Sequence, residues 1–371
     1  MDTELTTSGS IGEKKERLRI SLDESEADLY LDRDNGRGLV SGLTTFTAAL
    51  FIVGELAGAG IVALPKAVAN TGWIGVILII AIGILSCTCG VVLSKSWLIL
   101  RRDFPEYREH VRYPYAAMGF RTFGKTGKYV VQFCINITLV GYCAVFILLA
   151  SENLNSLIDL NLTSISAKNE YRVWLVICTA ALLPLTWLGT PKNFWPVALC
   201  AIISTSVALL LILIKIGVDF DGVAKSSPPT TTSFFSAIGV ITYSLGGASA
   251  FPTFQCDMKR PSQFNSSIVL AYIVVLVMYL PISILGFLAF GDDVKANVLM
   301  NLSSTSGITK CASALVTSHM LLCFVIVLNP VSQQLEEWLN FPKGRVTLKS
   351  CLVRSLFVLF ILGLTQAIPN F

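Results

Sequence analysis

Long runs of apolar residues constrain the fold of this chain more than any other feature. Nine runs carry little or no charge and are long enough to cross a bilayer as a helix, which takes about 20 residues. They lie near 43–64, 73–100, 128–151, 172–190, 194–217, 233–255, 265–290, 311–332 and 351–370. Lipid offers no hydrogen bonds to a backbone, so only helices and closed barrels cross it. The runs therefore predict an all-α integral membrane protein.

Composition excludes several other classes. The chain has 371 residues, of which 53% are hydrophobic and only 14% are charged, and its mean hydropathy of +0.68 is far from that of a soluble domain. A net charge of +4, scattered among loops, does not indicate a nucleic-acid partner. Most of the ten cysteines fall inside apolar runs, and no spacing indicates a disulfide framework or a metal site.

The distribution of basic residues predicts the topology. Residues 1–40 are polar and lack the apolar core of a signal peptide, so we expect a disordered cytoplasmic tail ahead of a transmembrane domain over 41–371. With that tail inside, 20 of the 28 Lys and Arg residues lie in inner segments and six lie in outer segments. This asymmetry obeys the positive-inside rule. Two glycosylation motifs, at Asn161 and Asn301, then fall in outer loops.

Two of the predicted spans contain helix-breaking residues near their middle. The first has Gly58-Ala59-Gly60 with Pro65 beyond, and the sixth has Leu245-Gly246-Gly247-Ala248 with Pro252 beyond. Spans five apart that cross in opposite directions, each interrupted at membrane depth, are typical of an inverted repeat around a transport site. The repeats would cover about 43–217 and 233–371. Glycines that only let helices pack closely are the alternative interpretation.

These same stretches carry a resemblance to a known family. Gly58-Ala-Gly-Ile-Val-Ala-Leu-Pro-Lys-Ala67 resembles the first-helix signature of the amino acid/auxin permease family. The stretch Tyr243-Ser-Leu-Gly-Gly-Ala-Ser-Ala-Phe-Pro-Thr-Phe-Gln-Cys-Asp-Met-Lys-Arg-Pro261 resembles its sixth-helix motif, and Gln366-Ala-Ile-Pro-Asn-Phe371 resembles the end of its ninth helix. The resemblance covers about residues 38–371. It implies a LeuT-type inverted repeat and secondary transport of amino acids driven by protons or sodium.

The chain departs from the family pattern in two ways. Members usually have eleven spans, whereas this chain stops after the ninth, which leaves the second repeat incomplete and indicates a truncated isoform or gene model. Many relatives have His-Asn after the Gly-Gly pair of the sixth helix, where this chain has Ala248-Ser249. A role of that histidine in proton or substrate binding is therefore not carried over.

An amino acid substrate requires partners for a carboxylate and an ammonium group. A break in the first helix exposes amides at the N-terminus of its second half, which attracts a carboxylate. Carbonyl groups freed at the second break would face the ammonium, and small residues there would line a side-chain pocket without a counter-charge, which favours a neutral amino acid. The predicted substrate-binding residues are Gly58, Ala59, Gly60, Ile61, Tyr243, Leu245, Gly246, Gly247, Ala248 and Ser249.

Ionisable residues inside spans are candidates for ion coupling. Glu55 precedes the first break, and a charged carboxylate at membrane depth costs roughly 2.5 kcal/mol or more. Three interpretations remain open for Glu55: a coupling proton carrier, a structural hydrogen bond to the broken backbone, or a sodium ligand. His319, after Ser318, is a second candidate for the ion site, although a lone histidine in a span also suits a packed core. Asp257, beside Lys259, is a candidate inner gate.

The sequence as a whole predicts a proton-coupled symporter for neutral amino acids that needs no cofactor beyond its coupling ion, H⁺ or Na⁺. A sensor that binds an amino acid without moving it, or a sodium-coupled carrier, is the alternative. An enzyme is not indicated, because Glu55 and His319 lie on different spans and no nucleophile, base or metal cluster accompanies them. The host membrane would be the plasma membrane or a lysosomal or vacuolar one. No feature indicates an oligomeric state.

Overall fold

A computed structural model describes residues 42–108, 111, 113–158, 167–187, 195–341 and 347–367. Within these ranges the chain forms eleven α-helices, four short 3-10 turns and no strand. The helices are α1 Thr45–Leu56, α2 Gly60–Thr71, α3 Trp73–Asp103, α4 Pro114–Leu157, α5 Ala167–Thr186, α6 Trp195–Val218, α7 Thr231–Ser244, α8 Phe251–Cys256, α9 Phe264–Phe290, α10 Gly307–Trp338 and α11 Leu348–Ala367. The all-α prediction is confirmed for this part of the chain.

Among the described residues, six helices are long and apolar enough to cross a membrane: α3, α4, α6, α9, α10 and α11. Helices α1 and α2 pass the same criterion only together, as one span bent by 59°. Helix α5 has 20 residues but carries Lys168, Glu170 and Arg172 near its start, and α7 and α8 have only 14 and six residues. That α5 crosses the membrane, and that α7 and α8 together form a span, therefore remains a prediction, and so does the total of nine spans.

The first helix of each proposed repeat starts with the same capping arrangement. Thr44 caps α1 and exchanges side-chain hydrogen bonds with the backbone of Thr47, and Thr230 and Ser233 do the same for α7. Such a reciprocal cap satisfies two backbone N–H groups that have no partner within the helix. The two broken spans thus begin at well-defined points, which lie on opposite sides of the membrane in the predicted topology.

Helix α4 begins earlier than the predicted span at 128–151. It starts at Pro114 and bends at Phe123 and Gly124, where Gly124 has a φ of +66°. A positive φ is accessible to glycine without the steric cost that other residues incur. Arg121, Lys125 and Lys128 flank the bend, so the hydropathy pattern detects only the part of α4 that follows these charges.

The broken helices lie among the longer ones. Helix α9 packs against α1, α2 and α3, and α2 also packs against α7. Helix α10 packs along α4 and α6, while α5 contacts α4 and α11. The buried apolar core runs through both groups and includes Ile52, Leu64, Phe251, Tyr279 and Phe324. Both breaks are therefore enclosed by α4, α9 and α10.

A buried ion pair joins three helices away from the breaks. Arg354 of α11 donates from Nε and Nη2 to the two carboxylate oxygens of Glu336 in α10, at 2.6 and 3.2 Å. Its Nη1 also donates to the carbonyl oxygen of Thr186, the last residue of α5, at 2.8 Å. The planar guanidinium can make both contacts at once, which fixes α5, α10 and α11 relative to one another.

Candidate functional site

The first break lies where the glycine pair predicts it. Helix α1 ends at Leu56, Ala57 to Ala59 are not helical, and α2 begins at Gly60. Pro65, which follows the glycine pair in the sequence, takes no part in the break but lies inside α2, where its ring packs against Gly286 of α9. The sharp bend therefore depends on the three residues that precede Gly60.

The second break is longer and lies against the first. Helix α7 ends at Ser244, and α8 starts only at Phe251. A Cβ atom on Gly60 would lie 2.6 Å from the Cβ of Ser244, and one on Gly247 would lie 2.7 Å from a methyl group of Leu56. At Gly60 the crowding includes the Cα of Ser244 at 2.9 Å, so glycine is required there for the two broken spans to touch, whereas the Leu56 methyl group near Gly247 belongs to a flexible side chain that can move.

A narrow cavity lies between the two breaks. Its walls come from α1 and α2, from the end of α7, and from α4 and α10. The lining residues are Glu55, Leu56, Gly58, Ala59, Gly60, Tyr142, Phe146, Tyr243, Ser244, Gly246 and Val327. Five of the predicted substrate-binding residues are among them: Gly58, Ala59, Gly60, Tyr243 and Gly246.

The other five predicted binding residues do not line this cavity. The N–H of Ile61 donates to the carbonyl oxygen of Gly58 at 3.3 Å. Gly247 packs against Leu56, and Ala248 lies against the apolar core. Ser249 is close to the break, and its buried hydroxyl has no hydrogen-bond partner.

Tyrosine hydroxyls donate hydrogen bonds to carbonyl groups that the helix breaks leave without a partner in a helix. Tyr272 of α9 donates to Leu245 O at 3.1 Å, and Tyr142 of α4 donates to Gly246 O at 2.9 Å. The hydroxyl oxygen of Tyr279, one heptad after Tyr272, lies 2.5 Å from Leu56 O and 3.0 Å from Ser244 O. The carbonyl oxygens of Leu245 and Gly246 thus each accept a hydrogen bond from a tyrosine hydroxyl, and their predicted role in facing a substrate ammonium group stays a prediction.

Glu55 reaches the cavity wall from the last turn of α1. Its Oε2 atom is buried and has no hydrogen-bond partner. A charged carboxylate oxygen without a partner is costly in such surroundings, so the site favours the neutral acid or the arrival of a positive partner. The tilted rings of Tyr142 and Tyr243, with centroids 5.1 Å apart, form the wall of the same cavity.

The two candidates on α10 are placed differently. His319 is buried, and its Nδ1 donates to the carbonyl oxygen of Ala201 in α6 at 3.0 Å, while its Nε2 lies 3.4 Å from the sulfur of Cys323. Nε2 also borders Gly58, from whose Cβ position it would be 3.3 Å away. Ser318 is exposed on another face, and its hydroxyl donates to Ala314 O within α10. The structure thus brings His319, but not Ser318, to the first break.

Asp257 lies at the predicted inner end, outside the cavity. Its carbonyl oxygen accepts from the N–H of Leu43 at 2.8 Å, and Leu43 O accepts from the N–H of Lys259 at 2.9 Å. Together these bonds form a short parallel bridge between Leu43 and Met258. The segment before α1 is thereby held to the segment after α8 by backbone hydrogen bonds.

The predicted glycosylation sites lie apart from this site. Asn161 falls outside the described residues. Asn301 ends the 3-10 turn between α9 and α10, where its side-chain amide donates to Asp293 O and its side-chain oxygen accepts from the N–H of Lys295. Its modification stays a prediction.

Several site residues were missing from the predicted set. Tyr142, Phe146 and Val327 come from helices without a break, where they are indistinguishable from ordinary apolar core residues. Tyr272 and Tyr279 could have been noticed, since a spacing of seven puts both hydroxyls on one face of α9. Their backbone partners, however, have no signature in the sequence.

Comparison with known proteins identifies the family of this chain. The sequence profile of the family described as transmembrane amino acid transporter protein matches residues 41–371. Amino acid transporter AVT1B of Arabidopsis thaliana is 27% identical over 328 residues, which is 87% of this chain and 59% of the relative.

Two further relatives come from the same plant. Amino acid transporter AVT1C is 26% identical over 97% of this chain and 62% of its own length, and amino acid transporter AVT3C is 25% identical over 91% and 78%. The chain spans about three fifths of the length of the first of these curated relatives. The matched proteins are transporters and not enzymes. With its profile match extending from residue 41 to residue 371, the chain belongs to the transmembrane amino acid transporter family.

Proposed function

We propose that this protein is a secondary carrier that moves a neutral amino acid together with a proton by alternating access. The observation that carries the proposal is the cavity between two facing helix breaks, with the partnerless Oε2 of Glu55 in its wall. Broken helices at membrane depth are where carriers of this kind bind substrate and coupling ions. The relatives named as amino acid transporters support the substrate class.

The arrangement of helices supports a LeuT-type inverted repeat. Each repeat would begin with a broken span, α1 with α2 and α7 with α8, and these two spans touch through Gly60 and Ser244. Helices α1 and α2 pack on α9, which also reaches the second break through the hydroxyls of Tyr272 and Tyr279, whereas α4, α5, α10 and α11 contact one another. Two such groups can rock against each other around a fixed site, which is the motion that alternating access requires.

Substrate binding would use the two sides of the cavity. Backbone amides at the start of α2, near Ala59 and Gly60, suit the carboxylate, because a helix N-terminus carries a partial positive charge. Apart from Glu55, the wall is uncharged. An uncharged side chain of the substrate would lie against Tyr142, Phe146 and Val327 without leaving a charge unpaired.

Glu55 would carry the coupling proton. In the closed state the neutral acid avoids the cost of a buried charge. When the cavity opens to water on one side, the carboxylate can ionise and release its proton there. Glu55 also lies close enough to the substrate site for its charge to favour a substrate ammonium, which would couple the two binding events.

Uptake into proteoliposomes tests the proposal. Labelled neutral amino acids are offered with and without an inward proton gradient, and sodium is replaced by choline in a parallel series. We expect gradient-driven uptake by the wild-type chain, and uptake without gradient stimulation by Glu55→Gln, which stays neutral at every pH. Gradient-driven uptake by Glu55→Gln would contradict the role of Glu55, and binding without any uptake would favour a sensor.

The location of the protein is proposed from its charges. The tail and most basic residues would lie in the cytoplasm, and the loop with Asn301 would lie outside or in the lumen. The membrane would be the plasma membrane or a lysosomal or vacuolar one. Proteolysis of an epitope at the N-terminus, in sealed and in permeabilised cells, tests the orientation.

A further inference from the structure

Two helix ends converge on one hydroxyl group at the centre of the site. Leu56 is the last residue of α1, Ser244 is the last residue of α7, and their carbonyl oxygens lie 2.5 and 3.0 Å from the hydroxyl oxygen of Tyr279. The side chain of Tyr279, which belongs to α9, is completely buried. Its hydroxyl therefore lies inside the junction of the two broken spans.

A position between two such carbonyls is electrostatically negative. The last carbonyls of a helix lack partners within it, and the helix dipole adds a partial negative charge at this end. Carbonyl oxygens that converge from helix ends are ligands of the kind that hold Na⁺ in carriers with broken helices. A tyrosine hydroxyl has a single hydrogen, so at any moment it can satisfy only one of the two carbonyls.

We propose that Tyr279 sets the ion specificity of this carrier because its hydroxyl occupies the place of a small monovalent cation. The hydroxyl hydrogen supplies the positive end that the carbonyls of Leu56 and Ser244 require. No metal cation is then needed to hold the two breaks together. The inference rests on the proposed transport function, but it also makes a binding prediction that does not depend on transport.

Removing the hydroxyl leaves a defined gap. In Tyr279→Phe the ring still fills its space. The carbonyls of Leu56 and Ser244 then face a void of about one oxygen atom. Glu55, which carries a carboxyl group, is the residue next to Leu56 in α1. Na⁺ fits such an oxygen-lined gap and balances its negative charge. The variant is therefore expected to acquire a sodium site that the wild-type chain lacks.

Tyr272→Phe is the matched control. It removes a hydroxyl from the same face of α9, but that hydroxyl contacts only one carbonyl, Leu245 O. A single carbonyl is a poor cation site, because a cation needs several oxygen ligands. Loss of a buried hydroxyl and general loosening of α9 are common to both variants, so they cannot explain a difference in sodium response.

The experiment measures radioactive sodium binding to purified protein and amino acid uptake in sodium or choline. We expect Tyr279→Phe to bind sodium saturably and its uptake to rise about fivefold or more in sodium, while wild type and Tyr272→Phe respond to neither. Sodium binding by the wild type, or a folded Tyr279→Phe that binds none, would overturn the proposal. If the wild type does not transport at all, the proposed function fails, and the binding measurement still decides the role of Tyr279.

A loss of stability in Tyr279→Phe is also informative. Its unfolding temperature in detergent is measured in sodium and in choline. Sodium should restore stability to Tyr279→Phe and leave Tyr272→Phe unchanged, since a ligand that binds the folded state raises its stability. Equal unfolding temperatures of Tyr279→Phe in the two salts would show that water, and not a cation, replaces the hydroxyl.

Discussion

Gly60 shows how a single missing side chain allows the site to form. The closest atoms to a Cβ on Gly60 all belong to Ser244, including its Cα at 2.9 Å, so the neighbour could not move aside without shifting α7. Gly58 is less crowded, with its nearest atom, Nε2 of His319, at 3.3 Å. The two glycines that look alike in the sequence therefore have different surroundings: Gly60 permits the contact between the breaks, whereas Gly58 lies in the cavity wall beside His319.

Substitution of Gly60 should separate the two broken spans. Gly60→Ala is expected to abolish amino acid uptake in proteoliposomes, because its methyl group displaces Ser244 and with it one of the carbonyls around Tyr279. Gly239→Ala, on α7 with no atom within 4 Å of the added methyl, is the control and should transport like the wild type. Normal uptake by Gly60→Ala would show that the breaks need not touch.

At the level of residues, the sequence predicted which residues have a chemical role better than it predicted which residues touch one another. Glu55 and the glycines could be identified because a carboxylate or a pair of glycines is costly in a membrane helix unless it has a purpose. Tyr142 could not, because an aromatic residue in an apolar run is ordinary core, and for Tyr279 only its spacing of seven from Tyr272 was visible. Their importance lies in which carbonyls their hydroxyls reach, and that depends on how α4 and α9 pack against the breaks.

At the level of secondary structure, the sequence predicted that two helices are broken. It did not predict the residue at which each broken helix resumes. Glycine weakens a helix locally, so the position of each break can be read from the chain. A proline only removes one backbone hydrogen bond, and Pro65 is accommodated within α2 because Gly286 leaves room for its ring. Helix α5 shows the opposite case, since the charges near its start weaken the hydropathy signal of a helix that nonetheless packs beside α4 and α11.

The backbone bridge between Leu43 and Met258 joins the elements at the inner end. Besides that bridge, the Thr45 hydroxyl donates to the side chain of Gln263 at 3.1 Å, and the Ser267 hydroxyl donates to Thr45 O at 2.9 Å. Gly42 permits the close approach, since a Cβ there would lie 2.9 Å from the backbone nitrogen of Lys259. The start of α1 is therefore held to the segment after α8 by backbone hydrogen bonds, and to Gln263 and Ser267 by side-chain hydrogen bonds.

Gly42→Val should open this end. The added side chain collides with the backbone of Lys259, so the inner end spends more time open. In a chain with Cys256 as its sole cysteine, a membrane-impermeant thiol reagent applied from the inner side is expected to label Cys256 faster in Gly42→Val than in the parent. The Cys256→Ser version provides the background, and an unchanged labelling rate would show that the bridge does not control access.

For the molecule as a whole, the sequence predicted the class, the order of the helices and a topology, but not the packing between distant helices. Hydropathy and charge are properties of a local segment, so they can be read without knowing which other segments pack against it. The contacts of α10 with α4 and α6, by contrast, depend on shape complementarity between segments that are far apart in the chain. Arg354 is an example: it is a basic residue near the start of the predicted span 351–370, and in the structure it is buried.

The pair of Arg354 and Glu336 gives a prediction for the stability of the whole assembly. The Arg354 side chain is only 5% exposed and that of Glu336 is 18% exposed. Removal of one partner from such a pair leaves a charge without its counter-charge, which costs about 3 kcal/mol. Arg354→Met should therefore lower the unfolding temperature in detergent markedly, and the added Glu336→Gln change should recover part of the loss because the unpaired charge disappears. A double variant as unstable as Arg354→Met, or less stable, would mean that the contact of Arg354 with Thr186 O, and not the ion pair, holds α5, α10 and α11 together.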